Sequence, residues 1–267
     1  MSRHPVLFVS HGAPDLLLAP GRTGMLWQAL GEQLPAPKAI LAVSAHWETP
    51  VPTVSTAANP RTIHDFAGFP PALYRQRYAA PGAPALAERV LGLLRDAGLP
   101  VEADAGRGFD HGAWAPLSLL YPAADIPVTQ LSIQSHAGPE WHYRLGEALR
   151  PLRQEGVLVL ASGSVTHNLA RLAPPGTPPA AFAVDFADWL AAKLQAEDIP
   201  ALLDYRRQSP TGAACHPREE HLLPLFVAIG VGGESGVPQR HTPEFSYGSL
   251  AMDAYLWSES TTTEKTA

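Results

Sequence analysis

The sequence predicts an α/β fold: a single domain with a central, mostly parallel or mixed sheet flanked by helices on both faces. Three observations predict it. Short apolar runs rich in branched residues recur along the chain at residues 6–10, 39–46, 127–133 and 157–161, each of strand length. Between them lie stretches with apolar residues at helical spacing, and strands alternating with helices build a sheet covered on both sides. No composition break and no repeat of fixed period divides the chain, which points to one domain.

In chain order, residues 6–10 form the first strand and His11-Gly12-Ala13-Pro14 a turn. Residues 23–34 form an amphipathic helix with Trp27 and Leu30 inward, and residues 35–38 connect it to the strand that ends at His46. Residues 51–55 alternate apolar and polar side chains, as a half-buried strand does. Residues 62–70 are a loop holding a His, an Asp and two Phe. Leu86, Val90, Leu91, Leu93 and Leu94 mark a helix that Gly98 stops. Residues 101–103 are a short strand, followed by a Gly-rich loop around His111 and a short helix over 114–121. A strand at 127–133, a helix at 140–155 and a strand at 157–161 come next. Beyond the loop 162–169 and a Pro-rich loop at 171–179, a long helix at 181–196 carries Phe182, Phe186, Trp189 and Leu190 on one side. Residues 201–208 form another short helix, 222–230 are wholly apolar, and 245–256 read as one final alternating strand. The domain thus spans 1–257, and the Thr-rich polar residues 258–267 are expected to be disordered.

Composition excludes several classes. At 267 residues, with 46% hydrophobic and 16% charged residues, the chain can bury a sizeable core. A net charge of −6 with no run of Lys and Arg argues against nucleic acid as a partner. The N-terminus runs straight into a strand without a signal-peptide pattern, and no apolar stretch reaches membrane length, so a soluble cytoplasmic protein is expected. Cys215 is the only cysteine, which removes disulfides and thiolate metal sites together.

Histidine carries the chemistry. His11, His46, His111 and His167 each follow a strand or sit in a Gly/Ser-rich loop, at the sheet edge where open α/β folds bind ligands. Together they suggest one metal site, and neutral imidazoles suit Zn, Cu, Fe or Ni. His4, His136 and His142 lack that context and read as surface or structural residues. Within residues 216–221, Pro217, Glu219 and Glu220 suit a solvated helix start, with acids at the positive dipole end. That reading leaves His221 unexplained, since it precedes a run of leucines and should point inward.

Several longer blocks complete the pattern: Ser10-His11-Gly12, Ser44-Ala45-His46-Trp47, Thr62-Ile63-His64-Asp65-Phe66-Ala67-Gly68-Phe69-Pro70, Gly108-Phe109-Asp110-His111-Gly112-Ala113-Trp114, Gln130-Leu131-Ser132-Ile133, Ser162-Gly163-Ser164-Val165-Thr166-His167-Asn168-Leu169 and Glu220-His221-Leu222-Leu223-Pro224-Leu225. In order, over about residues 6–256, the chain resembles the 4,5-DOPA extradiol dioxygenases, a branch of the class III, protocatechuate 4,5-dioxygenase-like ring-cleaving enzymes. The resemblance implies a mononuclear non-haem Fe(II) site that opens a catechol ring beside its diol and inserts both atoms of O₂. By position it implies His11, His46 and His221 as metal ligands. His167 corresponds to a residue at the metal, a ligand in some relatives and an acid/base in others, and His111 to a histidine that contacts substrate or oxygen. Distant class III enzymes use Glu as third ligand, so Glu220 stays open beside His221. Zn(II) is a second metal that such a His-rich site accepts.

The implied substrates are a small aromatic diol and O₂. A catechol loses protons as it chelates, and a His is the natural base at neutral pH. In this reading His167 takes the substrate proton and His111 serves the oxygen side. His64, Phe66 and Phe69 line an aromatic pocket, or the two Phe latch the loop. Trp47 and Trp114 form a dry wall or simply pack the core. A zinc hydrolase and a non-enzymatic adaptor of the same fold are the alternatives, separated from the first reading by dependence on O₂ and Fe(II) and by metal content.

Overall fold

The structure, a computed structural model, describes residues 3–259. Four strands run parallel at its centre: β1 (Val6–Ser10), β2 (Ala39–Glu48), β5 (Val128–Ile133) and β6 (Val157–Gly163). On one side follow β3 (Thr53–Ser55), antiparallel to β5, and β4 (Glu102–Asp104). On the other side, β10 (Ala254–Trp257) pairs antiparallel with β1, and β7 (Gln239–His241) closes the edge. The eight-stranded order is β4-β3-β5-β2-β6-β1-β10-β7. This is the mixed sheet the sequence predicts.

Both faces of the sheet are covered, which is why its central strands read as unbroken apolar runs. Val6, Phe8, Leu41, Val43, Val159 and Ala161 face α2 (Pro84–Asp96), α4 (Gly138–Leu149), α5 (Ala181–Gln195) and α9 (Leu223–Gly232). The alternate residues Leu7, Val9, Ile40, Ala42, Leu158 and Leu160 face α1 (Gly21–Gln33) and α3 (His111–Leu120). Three short helices, α6 (Ile199–Leu203), α7 (Tyr205–Gln208) and α8 (Gly212–Cys215), link α5 to the segment before α9. Every residue of α9 is buried, so periodicity cannot reveal it as a helix, and it packs mainly on α4.

Several expected elements differ. The helix placed at 114–121 starts at His111, because the Asp110 side chain accepts from Ala113 N and caps it. The helix placed at 140–155 gives way after Leu149 to a 3₁₀ stretch over Arg150–Glu155, where Pro151 supplies no N–H to an α ladder. The half-buried strand at 51–55 is the fully buried β3. The expected single strand at 245–256 is broken: β8 (Phe245–Ser246) turns through Tyr247 and Gly248, both at positive φ, into β9 (Leu250–Ala251), and only β10 joins the main sheet. Residues 216–222 are not helical, so Glu219 and Glu220 lie ahead of the helix, whose first turn holds Pro224. The expected disordered tail falls outside the described residues apart from Ser258 and Glu259. Among the described residues no helix is long and apolar enough to cross a membrane.

Candidate active site

Five histidines meet beyond the carboxyl ends of the parallel strands. His11 is the first residue after β1. His46 lies in β2 where its pairing with β5 jumps from Val43↔Leu131 to Glu48↔Ile133, an irregularity that re-aims the strand end. His111 opens α3, His167 follows β6, and His221 stands two residues ahead of α9. Backbone bonds tie these segments together: Ser164 N donates to His221 O at 2.7 Å, and His167 N donates to Cys215 O at 3.0 Å. Beneath them, buried Asp110 accepts from Ser44 Oγ at 2.6 Å, from Arg107 at 2.6 Å and from Gln130 Nε2 at 2.9 Å. One carboxylate thus fixes the start of α3 against the end of β2, which sets His111 beside His46.

Donor atoms of His11, His46 and His221 all lie within 4.8 Å of one another. His11 Nε2 is 3.0 Å from His46 Nε2. The second nitrogen of each ring is already engaged. His11 Nδ1 faces Ser162 Oγ at 3.0 Å, and because that hydroxyl donates to Gly112 O, it accepts from His11. His46 Nδ1 lies 3.4 Å from Asp65 Oδ2, and His221 Nδ1 lies 3.3 Å from Glu220 Oε1. Such partners are what orient imidazoles toward a metal. Burial above all, with the neighbouring imidazoles adding repulsion, holds the pKa of His11 and His221 well below the usual histidine range and lowers that of His46. Neutral rings with bare nitrogens facing each other at 3.0 Å repel unless a cation sits between them. A cation held by both Nε2 atoms would remove that repulsion. The donor set therefore fits a divalent transition metal.

Glu220 does not join that trio. Its Oε1 lies 3.3 Å from His221 Nδ1, a contact that orients the imidazole, and burial raises its pKa. His167 groups with Glu220 and His221, not with His11 and His46. Its ring stacks on His221 with centroids 3.4 Å apart and planes 8° from parallel. Burial, then repulsion from His111, brings its pKa down to about 4, which leaves the ring uncharged at neutral pH with one nitrogen free to accept a proton.

A cavity of about 420 Å³ opens above the histidines. Phe66, Phe69, Leu169, Leu172, Leu250 and Tyr247 wall it, with His11, His46, His111, His167 and His221 at its polar end. Phe66 meets His111 edge-on, centroids 5.6 Å apart. No Lys or Arg lines it among the described residues, and Arg171, the nearest cation along the chain, stacks on Phe182. His64 does not reach the cavity: its Nε2 lies 3.1 Å from Gln76 O, and its ring packs behind Phe66 against Trp114. Trp114 is fully buried and donates to Ile63 O, while Trp47 lies under Arg107, so both are packing residues. His142 accepts from Gln134 N, and His216, whose pKa burial lowers to about 3, bonds Val165 O; both are structural.

Sequence reasoning missed Asp65 and Ser162 as partners of site histidines, and Tyr247, Leu169, Leu172 and Leu250 as cavity walls. Asp65 accepts from His111 N at 2.9 Å, with Oδ2 3.0 Å from His111 Nδ1. Burial pushes its pKa up, but the hydrogen bonds and charge of His111 win and hold it at about 2. The signal was its place beside Phe66, in a loop that must close over the site.

Residues 26–253 match the family described as the catalytic LigB subunit of aromatic ring-opening dioxygenase. The chain is 41% identical over 257 residues to a 4,5-DOPA dioxygenase extradiol of Beta vulgaris, covering 93% of this chain and 94% of that protein. It is 43% identical over 235 residues to one of Escherichia coli (strain K12), covering 86% and 85%. A crystal structure of an uncharacterized protein from Escherichia coli K12 matches with a TM-score of 0.79 at 36% identity, over 95% of this chain and 99% of that one. Fold, convergent histidines and relatives agree: the chain belongs to the LigB family of aromatic ring-opening dioxygenases and is an extradiol ring-cleaving enzyme.

Proposed function

We propose that this enzyme opens small catechols beside the diol, with Fe(II) held by His11, His46 and His221. The observation that carries the reading is the trio of neutral imidazoles, each braced on its far nitrogen, at the floor of an apolar cavity large enough for one substituted ring. Bound there, the metal would supply Lewis acidity toward the diol and redox chemistry toward O₂. Zn(II) suits the same donors but has no redox chemistry, so zinc-loaded protein is expected to bind catechols without cleaving them. In the net reaction one ring carbon–carbon bond breaks and both oxygen atoms of O₂ enter the product, so no further reductant is consumed.

The protein's own groups do the rest. Phe66 and Phe69, packed edge to face against each other, form an apolar wall for the substrate ring and exclude water, which strengthens every polar interaction at the histidine end. His167, uncharged at neutral pH and lining the cavity, accepts a diol proton at its unprotonated ring nitrogen. His111, on the opposite wall beside Phe66, serves the oxygen side. The names of those relatives point to DOPA as one substrate. A water-activating hydrolase, the main alternative, would leave the Phe-walled ring slot without a purpose.

The test is anaerobic reconstitution with Fe(II), then oxygenated buffer and a panel of catechols, followed by absorbance of the yellow ring-opened product. Colour that requires Fe(II) and disappears in His46→Ala supports the reading. Iron-loaded protein that turns over no catechol overturns it.

A further inference from the structure

Asp65 touches two site histidines at once. Its Oδ1 accepts from His111 N at 2.9 Å; its Oδ2 lies 3.0 Å from His111 Nδ1 and 3.4 Å from His46 Nδ1. The two rings it joins have centroids only 3.9 Å apart, planes tilted by 47°. Both ring contacts are short ion-pair distances without the alignment of a hydrogen bond, and His111 Nδ1 has no other partner. Asp65 also precedes Phe66, the wall of the substrate cavity. None of this follows from the ligand set, since His111 is outside the metal trio.

We propose that Asp65 is a positioning residue that fixes the tautomer of two histidines together, one holding the metal and one facing the substrate. An ionised carboxylate accepts hydrogen bonds and donates none. Each Nδ1 facing it is therefore the protonated nitrogen, and a neutral imidazole has only one N–H. In the neutral form of either ring, Nε2 is then left as a bare lone pair. For His46 that lone pair faces His11 Nε2 at the metal position. For His111 it gives the cavity wall a proton acceptor. The proposal rests on the reading of the site given above, but its primary readout does not need turnover.

Asp65→Asn and Asp65→Ala separate tautomer control from mere support. In Asn, the oxygen can keep the bond from His111 N, and the amide NH₂ then faces both Nδ1 atoms. A donor there demands an acceptor, so the protons move to Nε2 and cover both functional lone pairs. In Ala the carboxylate is gone, and because Asp65 is partly exposed, water can accept from Nδ1 in its place. The closer isostere should therefore do more damage than the truncation. A purely structural role predicts the reverse order.

The experiment is ¹⁵N NMR of the imidazoles in metal-free wild type and both variants, with zinc affinity, Tm, and kcat and KM of the iron form. Expected are Nδ1–H tautomers at His46 and His111 in wild type and Nε2–H in Asp65→Asn. Zinc affinity should fall about 10–100-fold in Asn and less in Ala. Loss of kcat should be larger than any change in KM, with Tm of Asn close to wild type. Unchanged tautomers in Asn, or an Ala variant weaker than Asn in zinc binding, overturns the proposal. If no catechol is cleaved even by wild type, the reaction assignment fails while the tautomers and zinc affinities still decide the role of Asp65.

Discussion

At the residue scale, the proposed roles divide the site's histidines into groups that bind and groups that act. His167 stacks on His221 but lies apart from the His11–His46 pair, so His167→Phe should keep its metal and lose turnover by ~10²–10⁴-fold. Metal analysis beside a catechol assay checks this, and metal loss from the variant would make His167 a ligand. Ser162→Ala removes the hydroxyl that accepts from His11 Nδ1, and should weaken metal binding ~10–100-fold with little change in secondary structure. Competition with a chelator measures it. The histidines were legible because apolar runs deliver them to the active edge of an α/β sheet, and the longer motifs around them resemble a known family. Ser162 and Asp65 were not, because a Ser or an Asp in a loop has many ordinary uses and only three-dimensional contact singles it out. His64 shows the converse: it sits in the right motif yet turns toward Gln76 and Arg77.

At the level of elements, close approach matters more than propensity. A Cβ on Gly163, at the end of β6, would stand 2.1 Å from His221 O, so the strand and the His221 segment touch backbone to backbone. Gly163→Ala should lower stability by about 1–3 kcal/mol and displace His221, with metal affinity falling as well. A control is Gly92→Ala within α2, where nothing lies within 4 Å of the added carbon and a gain of about 0.5–1 kcal/mol is expected. Thermal unfolding of both variants tests the contrast. Alternation of strands and helices was readable throughout, whereas ends and breaks depended on contacts. Asp110 reaches back to cap α3, and positive φ at Tyr247 folds one apparent strand into a hairpin. Alternation over residues 245–256 could not distinguish one long strand from three short ones.

For the whole molecule, the neutral histidines make stability depend on pH. His142 and His167 are lowered to about 4 and His216 to about 3, chiefly by burial. Below the unfolded pKa near 6.5 the unfolded chain takes up protons that the native protein does not accept until about pH 4, so stability falls as pH drops through that window. Above pH 6.5 the contribution is complete. Asp253, raised to about 6 by burial, works in the opposite direction, but it is one group against several. Urea midpoints of metal-free protein should be level from pH 7 to 8 and decline steadily from about 6.5 to 4.5; a flat profile there would contradict the buried neutral assignment. The fold class was readable from the sequence, but the order of strands was not, since pairing in space leaves no local trace.

That order has a consequence for synthesis. β1 opens the chain and carries His11 at its tip, yet one of its two neighbours is β10, at Ala254–Trp257. Its other neighbour, β6, is about as far along as Val157. On a ribosome, the first strand emerges long before either partner exists, and its apolar side chains wait until β6 has been made. β1 is flanked on both sides only once β10 has been made, so metal binding is expected to follow synthesis of residue 254, and a nascent chain stalled before it should bind chaperone and not metal.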